Sequence, residues 1–525
     1  MRLAKILVGT ILAVGSVSLS QNLDDPFGRH GWTDMMLGRL APLRSPPQRS
    51  TVRAPRVHPP RYLNNKTAGF AVPGDELPDV LFDIGESYSG ILPISNVPGE
   101  PNQLFFWFFP STNPDATNEI VIWLNGGPGC SSMMGMLAEH GVFTWYPGTL
   151  APVWNPYAWA NLSNIVYIDQ PVGTGFSVGS PTATSEEEVA SQFLGFWRNF
   201  VNLFDLAGYK TYVTGESYAG KYCPFIAQAM LNHSDEFSVA GMMILDPVIA
   251  DLDVQANVVA ARFAQYHSNT VFRLSDEIWA TINGMADRCG HNAYVDEYLV
   301  FPPAGPQPSG IPGADDRTCL IYEFIALFQE MLNPCFDRYN IVAQCPRLPD
   351  SIGMSSSSEM AVYFDRDDVK ARIHAPSGSS WQECNGNVLP FDKSDPPILT
   401  AIPEVIARTG NVIIGQGQLD YVILSNGTLL AIQNMTWGGL RGFQQRHVDP
   451  FYVPLHSGWQ EDDVFWASSG VLGTAHTERG LTYVEVATSG HMIPEFVHSA
   501  AYRLLELLLG RIANVSTTSP FSTDM

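Results

Sequence analysis

The stretch Tyr212-Val213-Thr214-Gly215-Glu216-Ser217-Tyr218-Ala219-Gly220 runs from a β-branched segment through Gly-Glu-Ser-Tyr-Ala-Gly into a helical pattern. A serine on so tight a strand-to-helix turn has its hydroxyl lifted above the sheet, and small flanking residues let the turn close. The strict pattern is Gly-x-Ser-x-Gly; here Ala219 takes the last position and Gly220 follows it. A nucleophile elbow of this kind needs a strand behind it and a sheet around it, so the rest of the chain has to supply both.

It does. Leu104 to Phe109, Ile120 to Leu124, Ile165 to Asp169, Thr211 to Val213, Met242 to Leu245, Val412 to Ile414 and Thr482 to Val486 are short apolar, β-branched or aromatic runs that read as buried strands. Helical patterns alternate with them. The clearest follows Thr184, where Ser185 and Glu188 form a Ser-x-x-Glu capping box ahead of Val189, Phe193, Phe196, Trp197, Phe200, Val201 and Phe204. Such alternation predicts an α/β fold with a site in the loops at the carboxyl ends of the strands. Between residues 250 and 373 the strand pattern lapses into helical and loop-like sequence holding Cys289, Cys319, Cys335 and Cys345, which reads as an inserted cap. The catalytic core is then 62–249 together with 374–525. The 525 residues, 45% of them hydrophobic, suffice for one large domain with an insertion or for two ordinary domains, and they exclude disorder throughout.

A net charge of -23 would repel phosphate backbones and anionic lipid, which argues against nucleic-acid binding. Met1 to Lys5 is a short basic start, and the apolar stretch from Ile6 to Leu19 closes on small residues. This is the layout of a secretory signal peptide, residues 1–20, too short for an ordinary membrane span, with a signal anchor as the alternative. Sequons at Asn65, Asn161, Asn232, Asn426, Asn434 and Asn514 favour a glycoprotein of the secretory pathway, soluble once the leader is removed. Residues 21–61 carry seven Arg against three Asp and are rich in Pro, a basic arm that is either a propeptide or a disordered tail.

A serine hydroxyl needs a base, and the base needs an orienting carboxylate. Val412 to Asp420 places Asp420 just past a strand, and Tyr483 to Met492 places His491 just past the last one, so the chain order is Ser, Asp, His, that of α/β-hydrolases. Upstream, Trp123-Leu124-Asn125-Gly126-Gly127-Pro128-Gly129-Cys130 follows an early strand. Backbone N–H groups on such a glycine turn suit a developing oxyanion, with Tyr218 N–H as the second donor. The turn lacks the Lys of a phosphate-binding loop. No metal-ligand spacing or cofactor fingerprint appears, so no metal and no cofactor are expected.

With Trp123 to Ser132, Asn155 to Trp159, Ile168 to Ser177, Gly215 to Gly220 and Gly490 to Pro494 in view, the chain resembles the serine carboxypeptidase family, from about residue 80 to 500. The resemblance implies an α/β-hydrolase core with a cap, removal of single residues from the C-termini of peptides and proteins, and an acidic working pH. It implies Ser217, Asp420 and His491 as triad, Gly127 and Tyr218 as oxyanion donors, and Asn125, Gly126, Glu139, Glu216 and Met492 as substrate-binding residues, with Glu216 paired to Glu139 around the substrate's terminal carboxylate. A glutamate binds a carboxylate only when protonated, and two carboxyls sharing a site push one pKa upward. Substrate binding should therefore weaken towards neutral pH, while acylation, which needs a neutral His491, weakens towards strong acid. The resemblance also implies a Cys130–Cys384 bridge, with a nested Cys289–Cys345 and Cys319–Cys335 in the cap and Cys223 left as a buried free thiol. Family members usually carry an Asp two residues before the catalytic Asp and a Cys-Asn soon after, where this chain has Gln418 and then Tyr421 to Asn426.

Two rivals stand beside the peptidase. An acyltransferase on the same scaffold would use an alcohol or amine in place of water, but has less reason to keep Asn125, Glu139 and Glu216. A non-catalytic secreted glycoprotein would have no need of an intact triad. The expected substrate partner is a peptide C-terminus, and the expected location is outside the cell or in a vacuolar or lysosomal lumen.

Overall fold

The apolar runs of the sequence become strands of a single large sheet. The strands are β1 (Ala71–Val72), β2 (Ser87–Pro93), β3 (Gln103–Phe109), β4 (Glu119–Leu124), β5 (Asn164–Asp169), β6 (Lys210–Glu216), β7 (Ser238–Leu245), β8 (Val412–Gly417), β9 (Asp449–Val453), β10 (Gly470–Glu478) and β11 (Leu481–Val486). In space the order is β1-β2-β3-β5-β4-β6-β7-β8-β11-β10-β9. The run from β5 to β11 is parallel, and the strands at either end are antiparallel. This computed structural model describes residues 59–353, 361–455 and 469–523, which lie in one compact unit spanning 55–525. The leader at 1–20 and the basic arm up to residue 58 lie outside the described residues.

Successive side chains of a strand face opposite sides, so each strand feeds two cores. Ile120, Ile122 and Leu124 pack with Met242, Ile244, Val412 and Ile414 on one face. Val121, Trp123, Met243, Leu245 and Ile413 pack on the other. Helix α1 (Glu186–Phe204) covers the first face, with Phe200 and Phe204 edge-on to Phe106 and Phe108. Its cap is half of the expected box. Ser185 Oγ accepts from Glu188 N at 3.4 Å, but the Glu188 carboxylate accepts from Thr184 N at 2.7 Å, one residue earlier than the box requires. Helix α2 (Ala219–Asn232) shares that face, and α9 (His498–Leu508) covers the other through Ala500, Ala501, Leu504, Leu505 and Leu508.

Between β7 and β8 the chain leaves the sheet for α3 (Ala260–Tyr266), α4 (Asp276–Arg288), α5 (His291–Tyr298) and α6 (Ile321–Leu332), returning through α7 (Ala401–Thr409). Helices α3 to α6 and the chain beside them build a third core of Val254, Phe263, Phe272, Ile282, Ile325, Phe336 and Ile341, while α7 packs on the α1 side of the sheet through Ile402, Val405 and Ile406. Tyr421, from the loop after β8, closes it by stacking on Tyr322 at 4.7 Å, and each phenol donates to the other's carbonyl at 2.7 and 3.0 Å. The segment 250–373 divides between two cores, since Tyr363, Phe364, Val369 and Ile373 join the core beneath the sheet.

Cys130 bridges Cys384 and Cys223 is a buried free thiol. The nested pairing expected in the insertion is corrected: Cys289 joins Cys319 and Cys335 joins Cys345. The physical reason is local chain reversal. Cys289 ends α4, and the turn at Arg317–Cys319 returns beside it, with the two Cα atoms 5.7 Å apart. Cys335 and Cys345 close a short loop already pinched by the Asp337–Asn340 bridge and by Asn333 Nδ2 donating to Ala343 O at 2.9 Å, which leaves their Cα atoms 5.2 Å apart.

Candidate active site

At the end of β6 the backbone of Ser217 turns to φ +60°. A side-chain-bearing residue in that region costs on the order of 1–3 kcal/mol and persists only where its surroundings enforce it. Here Ser217 N donates to Leu245 O of β7, and Ser217 O accepts from Gly220 N and Val248 N, each at 2.9 Å. The departure at Ala219 is accommodated because the close approach falls one residue later. A Cβ at Gly220 would lie 2.6 Å from Pro247 Cβ, whereas Ala219 is fully buried without displacement.

His491 follows β11 and Asp420 follows β8. Both side chains are buried, and His491 Nδ1 meets Asp420 Oδ2 at 2.8 Å. Asp420 Oδ1 accepts from Val422 N at 2.6 Å and Ile423 N at 3.1 Å, while Gln416 Nε2 reaches Oδ2 at 3.2 Å. The opposite ring nitrogen, His491 Nε2, is buried without a partner among the described residues. The insertion holds both loops: His491 N donates to Tyr339 O, Tyr421 N to Arg338 O and Ile341 N to Leu419 O. Tyr339 also sets its ring edge-on to His491 at 5.1 Å. Neither Arg338 nor Tyr339 carried any sequence signal, because each is tied to the site through a backbone carbonyl, to which Tyr339 adds a ring edge that no motif marks. Gln418 donates to Tyr266 Oη at 3.2 Å and Glu485 Oε1 at 3.3 Å rather than to Asp420 or His491.

The glycine turn after β4 lies against the elbow. A Cβ at Gly126 would overlap Tyr218 N and sit 2.8 Å from Ser217 Cβ, so only glycine fits there. The amides of Gly127 and Tyr218 donate to no other group among the described residues. The turn is anchored by the Cys130–Cys384 bridge, by Gly129 N on Tyr222 Oη at 3.2 Å, and by Asp169, which accepts from Ser131 Oγ at 2.7 Å and Ser132 N at 2.9 Å.

Asn125 begins the same turn. Its Oδ1 accepts from Trp123 Nε1 at 2.8 Å and Gly135 N at 3.2 Å, which fixes the amide so that Nδ2 points at Glu216 Oε1, 2.8 Å away, and Glu139 Oε1, 3.4 Å away. Glu139 lies on the helical turn Gly135–His140, and both glutamates are buried. Burial lifts Glu139 to about 7, although hydrogen bonds from Glu216 and Asn125 pull the other way. Glu216 is pushed well above the usual carboxylate range, first by burial and then by the charge of Glu139. Neither Oε2 has a hydrogen-bond donor among the described residues, and a proton held by the pair is the donor that is missing. A third carboxyl, Glu495, is lifted to about 8 by burial and by Glu139. Met492 is 3% exposed and packs into the core beneath the sheet. Sequence reasoning overlooked Glu495, and also Asp246, a buried carboxyl beside Asp420 with a hydrogen bond of 2.8 Å from Gln416 Nε2.

A serine carboxypeptidase family model matches residues 78–511. The chain belongs to the serine carboxypeptidase family. This carboxypeptidase is 47% identical over 474 residues to a probable serine carboxypeptidase of Arthroderma benhamiae, covering 86% of this chain and 88% of the relative. It is 42% identical over 476 residues to the serine-type carboxypeptidase F of Aspergillus niger, covering 86% and 88%. Among solved structures, a prohormone-processing carboxypeptidase from Saccharomyces cerevisiae superposes with a TM-score of 0.67 at 23% identity, covering 86% of this chain and 98% of that one, which shows the shared α/β-hydrolase fold. The protein is a serine-type carboxypeptidase that releases C-terminal residues from peptides.

Proposed function

We propose that peptides are cleaved through an acyl-enzyme on Ser217. Ser217 Oγ attacks the scissile carbonyl while His491 Nε2 takes its proton and then delivers it to the departing amino group. Asp420, bonded to Nδ1, holds the tautomer and favours the imidazolium. The amides of Gly127 and Tyr218 stabilise the oxyanion. Water, deprotonated by the same imidazole, releases the acyl group. Gly126, Asn125 and the protonated Glu139–Glu216 pair receive the terminal carboxylate, with Met492 forming part of that wall, and the pair's need for a proton makes the enzyme one of acidic pH.

The observation that carries this reading is the Asn125 amide aimed at Glu216, the residue immediately before the nucleophile. A carboxylate receptor is thereby tied covalently to the elbow, one residue from the attacking oxygen, which is the geometry an exopeptidase requires. The disulfides and the six sequons support a life in the secretory pathway, outside the cell or in a vacuolar lumen, and among the described residues no helix is long and apolar enough to cross a membrane. Residues 250–373 are read as the cap over the site and residues 21–61 as an arm outside the catalytic unit.

The test is mass spectrometry of a peptide with a free C-terminus incubated between about pH 4 and about pH 7, beside Ser217→Ala and a C-terminally amidated peptide. The expected result is a C-terminal ladder that requires Ser217, fades on amidation and fades near neutral pH. An amidated peptide trimmed as fast as the free one would refute the clamp, and a ladder from Ser217→Ala would refute the nucleophile.

A further inference from the structure

Asp246 lies one residue past the end of β7, fully buried, with its backbone at φ +46°. Its Oδ1 accepts from Gln416 Nε2 at 2.8 Å and from Gly417 N at 2.7 Å. The same Gln416 amide reaches Asp420 Oδ2, and an oxygen of Asp246, an oxygen of Asp420 and a nitrogen of His491 all lie within 4.8 Å of one another. Two buried carboxyls therefore stand side by side behind the imidazole. The titratable groups that face Asp246 are Asp420 after β8, His491 after β11, Glu216 at the end of β6, Glu139 on its helical turn and the Tyr483 phenol on β11. Only His491 among them is able to become cationic.

Two carboxylates this close do not both ionise in a dry site, and the one with fewer donors keeps the proton. Asp420 receives Val422 N, Ile423 N, Gln416 Nε2 and His491 Nδ1. Asp246 receives two donors on one oxygen, and its Oδ2 has none among the described residues. We infer that Asp246 is a positioning residue of the triad, held as the neutral acid and donating its own O–H to Asp420. Burial and the neighbouring Asp420 both push the Asp246 carboxyl well above its usual range, in the direction this requires. The inference rests on the Ser217–Asp420–His491 reading and adds a fourth member to it.

The consequence is chemical. A proton donated to Asp420 adds one more hydrogen bond to the carboxylate and fixes its plane, so that Oδ2 stays aligned on His491 Nδ1. An Asn at position 246 would keep the whole pattern: its carbonyl oxygen accepts the two existing donors and its amide N–H replaces the acid O–H. An Ala would remove the donor.

The experiment measures kcat and KM against pH, with a blocked dipeptide as substrate, for wild type, Asp246→Asn, Asp246→Ala and Ser217→Ala. Active sites are counted by organofluorophosphate titration in every protein except Ser217→Ala. Expected are an Asp246→Asn enzyme within about threefold of wild type and an Asp246→Ala enzyme slower in kcat by about tenfold to a hundredfold, with KM nearly unchanged. Activity should survive exhaustive chelation, because a proton and not a cation joins the two carboxyls. The inference is overturned if Asp246→Asn is as impaired as Asp246→Ala, if Asp246→Ala keeps the wild-type rate, or if a chelator inactivates the enzyme. An active Ser217→Ala would overturn the triad reading itself, whereas an inactive Ser217→Ala beside a normal Asp246→Ala refutes the role of Asp246 alone. Should Asp246→Ala fail to fold, infrared difference spectra of wild type against Asp246→Asn still decide. At neutral pH they must show the carbonyl band of one buried neutral carboxylic acid, and its absence refutes the inference.

Discussion

In the proposed mechanism, replacing Glu216 by Gln isolates the proton on which substrate binding depends. On that mechanism a terminal carboxylate arriving at Asn125 meets a carboxyl pair in which burial lifts Glu139 to about 7 and Glu216 well above the ordinary range. While one proton is shared, the pair donates a hydrogen bond. Once it is lost, a second negative charge faces the substrate at contact distance. At an effective dielectric constant of about 20, unit charges about 4 Å apart interact by about 4 kcal/mol, and about 1.4 kcal/mol is tenfold, so full ionisation weakens binding by up to about a thousandfold. KM for a blocked dipeptide should be flat in acid and then climb by about tenfold per pH unit above neutrality, while the ester or amide of the same dipeptide shows no such climb. In Glu216→Gln the amide donates at every pH, so KM near pH 5 stays within about threefold of wild type and the climb shrinks by at least about tenfold. The double variant Glu139→Gln/Glu216→Gln should abolish it. A KM that climbs as steeply in the double variant as in wild type would show that the proton lies elsewhere and would refute the clamp.

The same pair couples pH to stability. Folding lifts Glu139 from 4.5 to about 7, so the folded protein holds more protons than the unfolded chain, and stability is complete below about pH 4.5 and lost as pH rises through about 7, by about 3 kcal/mol. Urea midpoints should fall over that window in wild type and fall less in Glu139→Gln; equal slopes would contradict the linkage. Removing the Cys130–Cys384 bridge as the double Ala variant should cost about 2–5 kcal/mol and slow acylation by an organofluorophosphate, since that bridge anchors the turn carrying Gly127; titration kinetics unchanged from wild type would count against this role. Peptide mapping should find glycans at the exposed Asn65, Asn232 and Asn514. Asn161 and Asn426 should be bare, because both are partly buried and their amide nitrogens donate to Pro156 O and Val259 O; a glycan on Asn426 would show that α8 (Ser425–Asn434) packs differently.

Local chemistry was enough to read the elbow at Ser217, the strands that feed it and the order Ser, Asp, His, because each depends on residues within one turn or one strand. Runs such as Ile120 to Leu124 and Met242 to Leu245 are buried on both faces, so they show as continuous apolar stretches. The strands β2, β9 and β10 were not legible, since each is partly exposed and β10 carries Gly470, Gly473 and a charged end. The site's residues were legible by resemblance, but their mutual fit was not. That Asn125 Nδ2 spans two glutamates 77 residues apart follows only from β4 lying beside β6.

The pairing of the four cysteines in the insertion was likewise decided by where α4 and a ten-residue loop turn back, which cysteine spacing does not encode. Asp246 is the clearest case of the division. In sequence it is an acid before a proline; in the fold, β7 and β8 are neighbours, and that adjacency sets its carboxyl against Gln416, Gly417 and Asp420. Sequence by itself determined which chemical groups this carboxypeptidase owns and the strand ends on which they sit, because those are properties of a few consecutive residues. Tertiary structure decided which carboxyls share a proton, because that depends on distances and burial between segments far apart in the chain.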